Sequence, residues 1–139
     1  MKIPKYPVSV KAVITRNKKF LMIKKKKNGK IDFSFPGGLV EKTESLEDAL
    51  KREVKEEIGL EIEPLRVIHA TKYKHPSGSE NVGIYFLCKP KSGKIKLGRE
   101  KDQKFLKAVW VDEKDDIPKW AKDLIIKFKY LLKDYGAYF

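Results

Sequence analysis

The chain has 139 residues, 41% of them hydrophobic and 37% charged, with a formal net charge of +13. That length carries a single domain, residues 1–139, with a proper core. The composition excludes a disordered chain, and the lone cysteine, Cys88, excludes an internally disulfide-stapled module. No apolar run approaches the ~20 residues of a membrane span. The opening MKIPKYPVSVKAV holds no signal-peptide core, so a cytoplasmic location and no membrane partner are expected. The lysine excess suits polyanionic partners, either nucleotides steered to a site or RNA held without sequence preference. Abundant Lys and Glu with few amides (Asn17, Asn28, Asn81, Gln103) fit a protein built for high temperature.

In chain order, Val8–Thr15 alternates in the β manner, with Val8, Val10, Ala12 and Ile14 on one face. Asn17-Lys18 turns the chain and Phe20–Ile23 forms a second strand. Lys24–Lys27, Asn28, Gly29 and Lys30 read as a basic, turn-rich connection, either solvated or placed near substrate phosphates. Ile31–Phe35 is extended and runs into the turn Pro36-Gly37-Gly38. Ser45 is a good N-cap, Leu46, Ala49, Leu50 and Val54 follow helical spacing, and Gly59 is a natural stop.

Beyond the helix, Glu61–Tyr73 and Val82–Cys88 read as strands joined by the loop His75-Pro76-Ser77-Gly78-Ser79, and Ser92–Leu97 adds a short strand. Lys107–Val111 is the last strand, with Trp110 expected in the core. Pro118 opens a terminal helix whose stripe is Trp120, Leu124, Ile125, Phe128, Leu131, Leu132 and Tyr135, with Gly136 as its C-cap. His69 is expected to be packed in its strand, and His75 is placed where it can touch a ligand. Mixed strands with two helices imply an α/β sandwich.

The chemistry concentrates on the first helix. Glu53, Glu56 and Glu57 stand at i, i+3 and i+4 and share a face. Like charges at that spacing repel, and a hard divalent cation such as Mg²⁺, which takes carboxylate oxygens and substrate phosphates together, removes the repulsion. Arg52 adjoins the cluster and suits a bidentate grip on one carboxylate. Glu57 lies close to the apolar line of Leu50 and Val54, where a carboxylate needs a cation or donors. An ordinary charged surface face, partnered by Lys51 and Lys55, is the alternative these residues leave open.

The segment GLVEKTESLEDALKREVKEEIGL, Gly38 to Leu60, resembles the Nudix box GX5EX7REUXEEXGU, in which U is a bulky aliphatic residue. Gly38, Glu44, Arg52, Glu53, Val54, Glu56, Glu57, Gly59 and Leu60 occupy all of its fixed positions. The resemblance implies a Nudix-type α/β/α sandwich, in which the box helix and the C-terminal helix cover opposite faces of a mixed central sheet. It implies a pyrophosphohydrolase using Mg²⁺, with Mn²⁺ as a substitute. Metal would be held by Glu53, Glu56 and Glu57, with a carbonyl of Gly37 or Gly38. Arg52 would orient a glutamate, Glu44 would support the site, and Glu53, Glu56 or Glu100 would be the base. Glu100 and Asp102 both fit an additional acidic position that many Nudix proteins place before the last strand. Pro76, sixteen residues past the box, resembles an ADP-ribose pyrophosphatase pattern, whereas the short chain and the missing N-terminal extension look more like MutT-type triphosphate hydrolases. A nucleotide-derived small molecule is thus the expected partner, in a monomer or homodimer. A non-catalytic nucleotide- or RNA-binding Nudix module and an RNA 5′-end decapping enzyme are the alternatives.

Overall fold

The structure, a computed structural model, describes residues 1–75, 77–98 and 104–136. Its elements are β1 (Val8–Val13), β2 (Thr15–Arg16), β3 (Lys19–Lys27), β4 (Lys30–Ser34), β5 (Gly37–Leu39), α1 (Leu46–Ile58), β6 (Glu61–Lys74), β7 (Glu80–Ser92), β8 (Lys104–Val111) and α2 (Lys119–Leu132). Two four-stranded sheets result. One runs β5-β1-β7-β6, with β1 parallel to β7 and the other pairs antiparallel. In the second, β3 pairs antiparallel with β2, β4 and β8.

Strand alternation divides the interior into two halves. Val10, Ala12 and Ile14 turn one way and Val13 the other; Leu21 and Ile23 oppose Phe20 and Met22; Phe86 and Cys88 oppose Leu87. The first set packs on Ala49, Leu50, Val54 and Ile58 of α1, the second on Ala121, Ile125, Phe128 and Leu132 of α2. The helices therefore cover opposite faces, the sandwich expected from the pattern. Each fully buried aliphatic or aromatic side chain contributes roughly 1.5–3 kcal/mol.

Several expectations are corrected. Lys24–Lys27 are not a connection but the outer half of β3, paired with β4 and β8; the turn is confined to Asn28-Gly29. Pro36-Gly37-Gly38 is not only a turn, because Gly37–Leu39 pairs with β1. Residues 93–98 form no strand, and the amides of Lys96 and Gly98 bond to the end of α1 instead. Val8 and Trp110 are half-buried, and the Arg16 guanidinium covers the Trp110 ring at 4.7 Å. The inner stripe of α2 includes Ala121 and leaves Trp120 and Leu131 exposed, and α2 ends at Lys133 in ordinary helical geometry, without Gly136 as its cap.

The rotation of that stripe is directly testable at two adjacent isoleucines, of which Ile125 is fully buried and Ile126 is 55% exposed. Ile125→Ala should cost about 2–5 kcal/mol in urea unfolding, and Ile126→Ala well under half of that. Equal losses would mean that the helix faces the core differently.

Candidate active site

The site begins with how α1 is fixed. Ser45 Oγ accepts the Asp48 N–H at 3.1 Å, and Glu47 and Asp48 place negative charge at the helix N-terminus. At the other end Gly59 takes a left-handed conformation, φ 74°, and its N–H bonds the Lys55 carbonyl. Residues 93–98 then lie along this end as a strap. Lys96 N–H donates to Ile58 O at 2.8 Å and Gly98 N–H to Glu57 O at 2.7 Å, satisfying two of the carbonyls a helix end leaves open. A Cβ on Gly98 would strike the Glu56 carbonyl, and one on Gly93 the Gly59 carbonyl.

β5 passes beside the middle of α1. Gly37, at φ 149°, has no room for a side chain because a Cβ would meet the Val10 carbonyl. Its N–H donates to Glu57 Oε1 at 2.6 Å. Glu57 is only 5% exposed, so this bond supplies one of the donors that a carboxylate in that position requires. Gly38 lies against Glu53, whose carboxylate occupies the space a Cβ would fill.

Arg52 ties the remaining acids together. Its Nε and Nη2 grip Glu44 at 2.7 and 2.8 Å as a fork. Its Nη1 donates to Glu53 Oε1 at 3.0 Å and Glu56 Oε2 at 3.3 Å. Nη2 also reaches the Leu39 carbonyl at 3.2 Å and lies 3.8 Å from Glu41. The Arg52 hydrogen bonds, with one from the Glu41 N–H, hold the Glu44 carboxyl down at about 2. In return Glu44, with a smaller contribution from Glu53, raises the Arg52 guanidinium above its ordinary value.

The structure thus gathers Glu44, Arg52, Glu53 and Glu56 around one guanidinium, and sets Glu57 and Glu53 against Gly37 and Gly38. Glu100, Asp102 and Pro76 lie outside the described residues. His75 bonds Ser77 within its own loop, and His69 packs against Tyr85 and Phe128 with Lys127 Nζ at 3.0 Å from Nδ1. Sequence reasoning missed Glu41, the Leu39 carbonyl and the Gly98 amide. The last two act through the backbone and leave no side-chain signal. Among the described residues no group of three or more His, Cys, Asp or Glu side chains is placed to hold a metal ion by itself. The open set of hard carboxylate oxygens, one buried and one seated on a glycine, suits a cation that keeps waters and shares itself with a substrate.

Three comparisons bear on this arrangement. The family model described as NUDIX domain matches residues 5–128. An ADP-ribose pyrophosphatase of Methanocaldococcus jannaschii is 33% identical over 132 residues, spanning 92% of this chain and 72% of that protein. The 8-oxo-dGDP phosphatase NUDT18 of Danio rerio is 33% identical over 90 residues, 65% of this chain but only 26% of its own length. Among solved structures, a MutT protein from Methanosarcina mazei Go1 superposes with a TM-score of 0.75 at 24% identity, covering 92% of this chain and 96% of that one, a likeness of fold. By its family match and its box, the chain belongs to the Nudix family of hydrolases.

Proposed function

We propose that this chain hydrolyses, with a divalent cation, a pyrophosphate linkage in a nucleoside diphosphate joined to a further group, and that sugar nucleotides of the ADP-ribose type are its first substrate class. The observation that carries the chemistry is the placement of three carboxylates within one and a half turns of α1, Glu53 and Glu56 on Arg52 Nη1 and Glu57 on the Gly37 amide. The substrate class rests on the similarity to the ADP-ribose pyrophosphatase, which spans nearly the whole chain. The similarity to an 8-oxo-dGDP phosphatase over 65% of the chain supports an oxidised nucleotide as the second reading.

Glu53, Glu56 and Glu57 would hold Mg²⁺, or Mn²⁺ in its place, with a carbonyl of Gly37 or Gly38 as a further candidate ligand. When bound, the cation neutralises the pyrophosphate oxygens and the charge that builds on the leaving phosphate. The protein's own contribution is positional. Glu57 is pinned by a short bond to β5, and Glu53 is pressed on Gly38, so neither carboxylate has to be ordered when substrate arrives. Glu56 is 59% exposed with Oε2 on Arg52, which leaves Oε1 to take the proton of the attacking water. Water adds to one phosphorus, the bridging oxygen leaves with the other phosphate, and the products are a nucleoside monophosphate and the phosphorylated second group. A binding-only domain does not require this full carboxylate set.

Hydrolysis of ADP-ribose, 8-oxo-dGDP, nucleoside triphosphates, dinucleoside polyphosphates and capped RNA, followed by chromatography, tests the reading. ADP-ribose should give AMP and ribose 5-phosphate, and Glu57→Gln should lower kcat by at least about a hundredfold with an unchanged circular dichroism spectrum. Normal turnover in that variant would remove Glu57 from the chemistry, and a folded protein silent on every substrate would leave a binding domain.

The Glu44–Arg52 fork makes a separate prediction for stability. The folded carboxyl sits near 2 against an ordinary 4.5, so its stabilisation is fully present above 4.5 and is lost as pH falls toward 2. The gap in Tm between wild type and Glu44→Gln should be widest above pH 5 and close progressively between pH 4.5 and 2. A gap independent of pH would mean that the fork does not act through charge.

A further inference from the structure

The net charge is not spread evenly. Residues 24–33 and 104–107 hold seven lysines against one acid, Asp32, so that 14 residues carry +6 of the chain's +13. These residues form a three-stranded arm, the outer half of β3 with β4 on one partner register and the start of β8 on the other. Within it lysine stands directly opposite lysine three times: Lys24 across from Lys107, Lys26 from Lys104, and Lys27 from Lys30. Directly opposed like charges destabilise a sheet, so this pattern works against folding unless something outside the chain offsets it. A general enrichment in lysine for thermal stability would pair the residues with acids. Here no ion pair among the described residues involves Lys24, Lys26, Lys27, Lys30 or Lys107. Asp32, the one acid, stands directly across from Lys25 and accepts the Phe33 N–H at Oδ1, 2.8 Å, which leaves the three lysine–lysine pairs without an acid opposite them.

We propose that this arm is a docking surface for the phosphate backbone of a nucleic acid, separate from the carboxylate site on α1. Strand alternation puts Lys24 and Lys26, with Lys107 across from Lys24, on the face that continues from Phe20 and Met22 toward α2, and Lys27 and Lys30 on the other; on the first face the charges stand about 5–7 Å apart, a spacing suited to phosphates rather than to bases. A lipid surface fits less well. Ile31, 51% exposed, is the one large apolar side chain exposed between residues 19 and 34, and the hairpin tip is Asn28-Gly29, so the described side chains of the hairpin offer little to insert into an interface. The arm offers no described aromatic platform for stacking, so the binding is independent of sequence and sensitive to salt.

The test uses the full chain and a fluorescein-labelled 20-nucleotide poly(U), titrated by anisotropy across a salt series. Two variants of equal charge change are compared: Lys24→Gln/Lys26→Gln/Lys107→Gln on one face of the arm, and Lys89→Gln/Lys91→Gln/Lys94→Gln at exposed positions elsewhere. If each arm lysine neutralises one phosphate, the arm variant should bind at least tenfold more weakly at low salt. It should also flatten the slope of log K against log salt by about 2, following roughly 0.7 per contact for a single strand. The control variant should bind within about threefold of wild type by the same relation. The arm variant should also melt at or above the wild-type temperature, because opposed like charges have been removed. Equal weakening in both variants, or no binding to poly(U) or to a DNA duplex of the same length, overturns the proposal. Binding of wild type to phosphatidylserine vesicles but not to either nucleic acid would assign the arm to a membrane surface and overturn it as well.

Discussion

A single buried hydrogen bond sets the geometry on which the rest depends. Glu57 sits on the inner side of α1 among Leu50, Val54 and Ile58, where an ionised carboxylate is costly without donors. The Gly37 N–H is aimed at it only because β5 runs beside β1 so closely that position 37 has no space for a Cβ. The charge thus locks the helix to the sheet at a chosen register, and that lock carries Glu53 onto Gly38 and Glu56 to the surface. Stability and chemistry meet in one bond, since breaking it takes a donor from a buried carboxylate and displaces the carboxylates together.

Arg52 complements this bond from the opposite side. A guanidinium has five donors in a rigid plane, and here they are shared among Glu44, Glu53, Glu56 and the Leu39 carbonyl. It lies between carboxylates that repel one another and holds them at fixed separation in place of a loose, solvated cluster. The fork on Glu44 anchors the arginine to the loop ahead of the helix, so the acids answer to two scaffolds, the sheet through Gly37 and the loop through Glu44. A lysine has no such fork, because its ammonium cannot grip two oxygens of one carboxylate in plane while reaching two others.

How much of this was legible depended on whether the cause was local. The limits of α1 follow from Ser45 and Gly59, and both act within four residues. The discomfort of Glu57 shows in its spacing from Leu50 and Val54, although the donor that answers it, twenty residues earlier, does not. The Arg52–Glu44 fork spans eight residues and the start of a helix, and only the motif resemblance linked the two. The lysine run looked like a loop because charge masked a strand that continues from Phe20–Ile23 past the edge of the core. The α2 stripe was displaced because Ala121 was not counted as apolar and Trp120 was, although the helix turns the small residue inward. Residues 93–97 had the composition of a strand, but the Lys96 amide bonds to the end of α1 rather than to a neighbouring strand.

That strap sets limits on how the chain can vary. Positions 93 and 98 stand against carbonyls of Gly59 and Glu56, and neither accepts a side chain without displacing the helix end that carries two of the acids. Between them Lys94, Ile95 and Lys96 face solvent and are free to drift. A side chain at either glycine therefore reaches the carboxylates through the helix end, whereas the Lys94, Ile95 and Lys96 side chains can change without disturbing it.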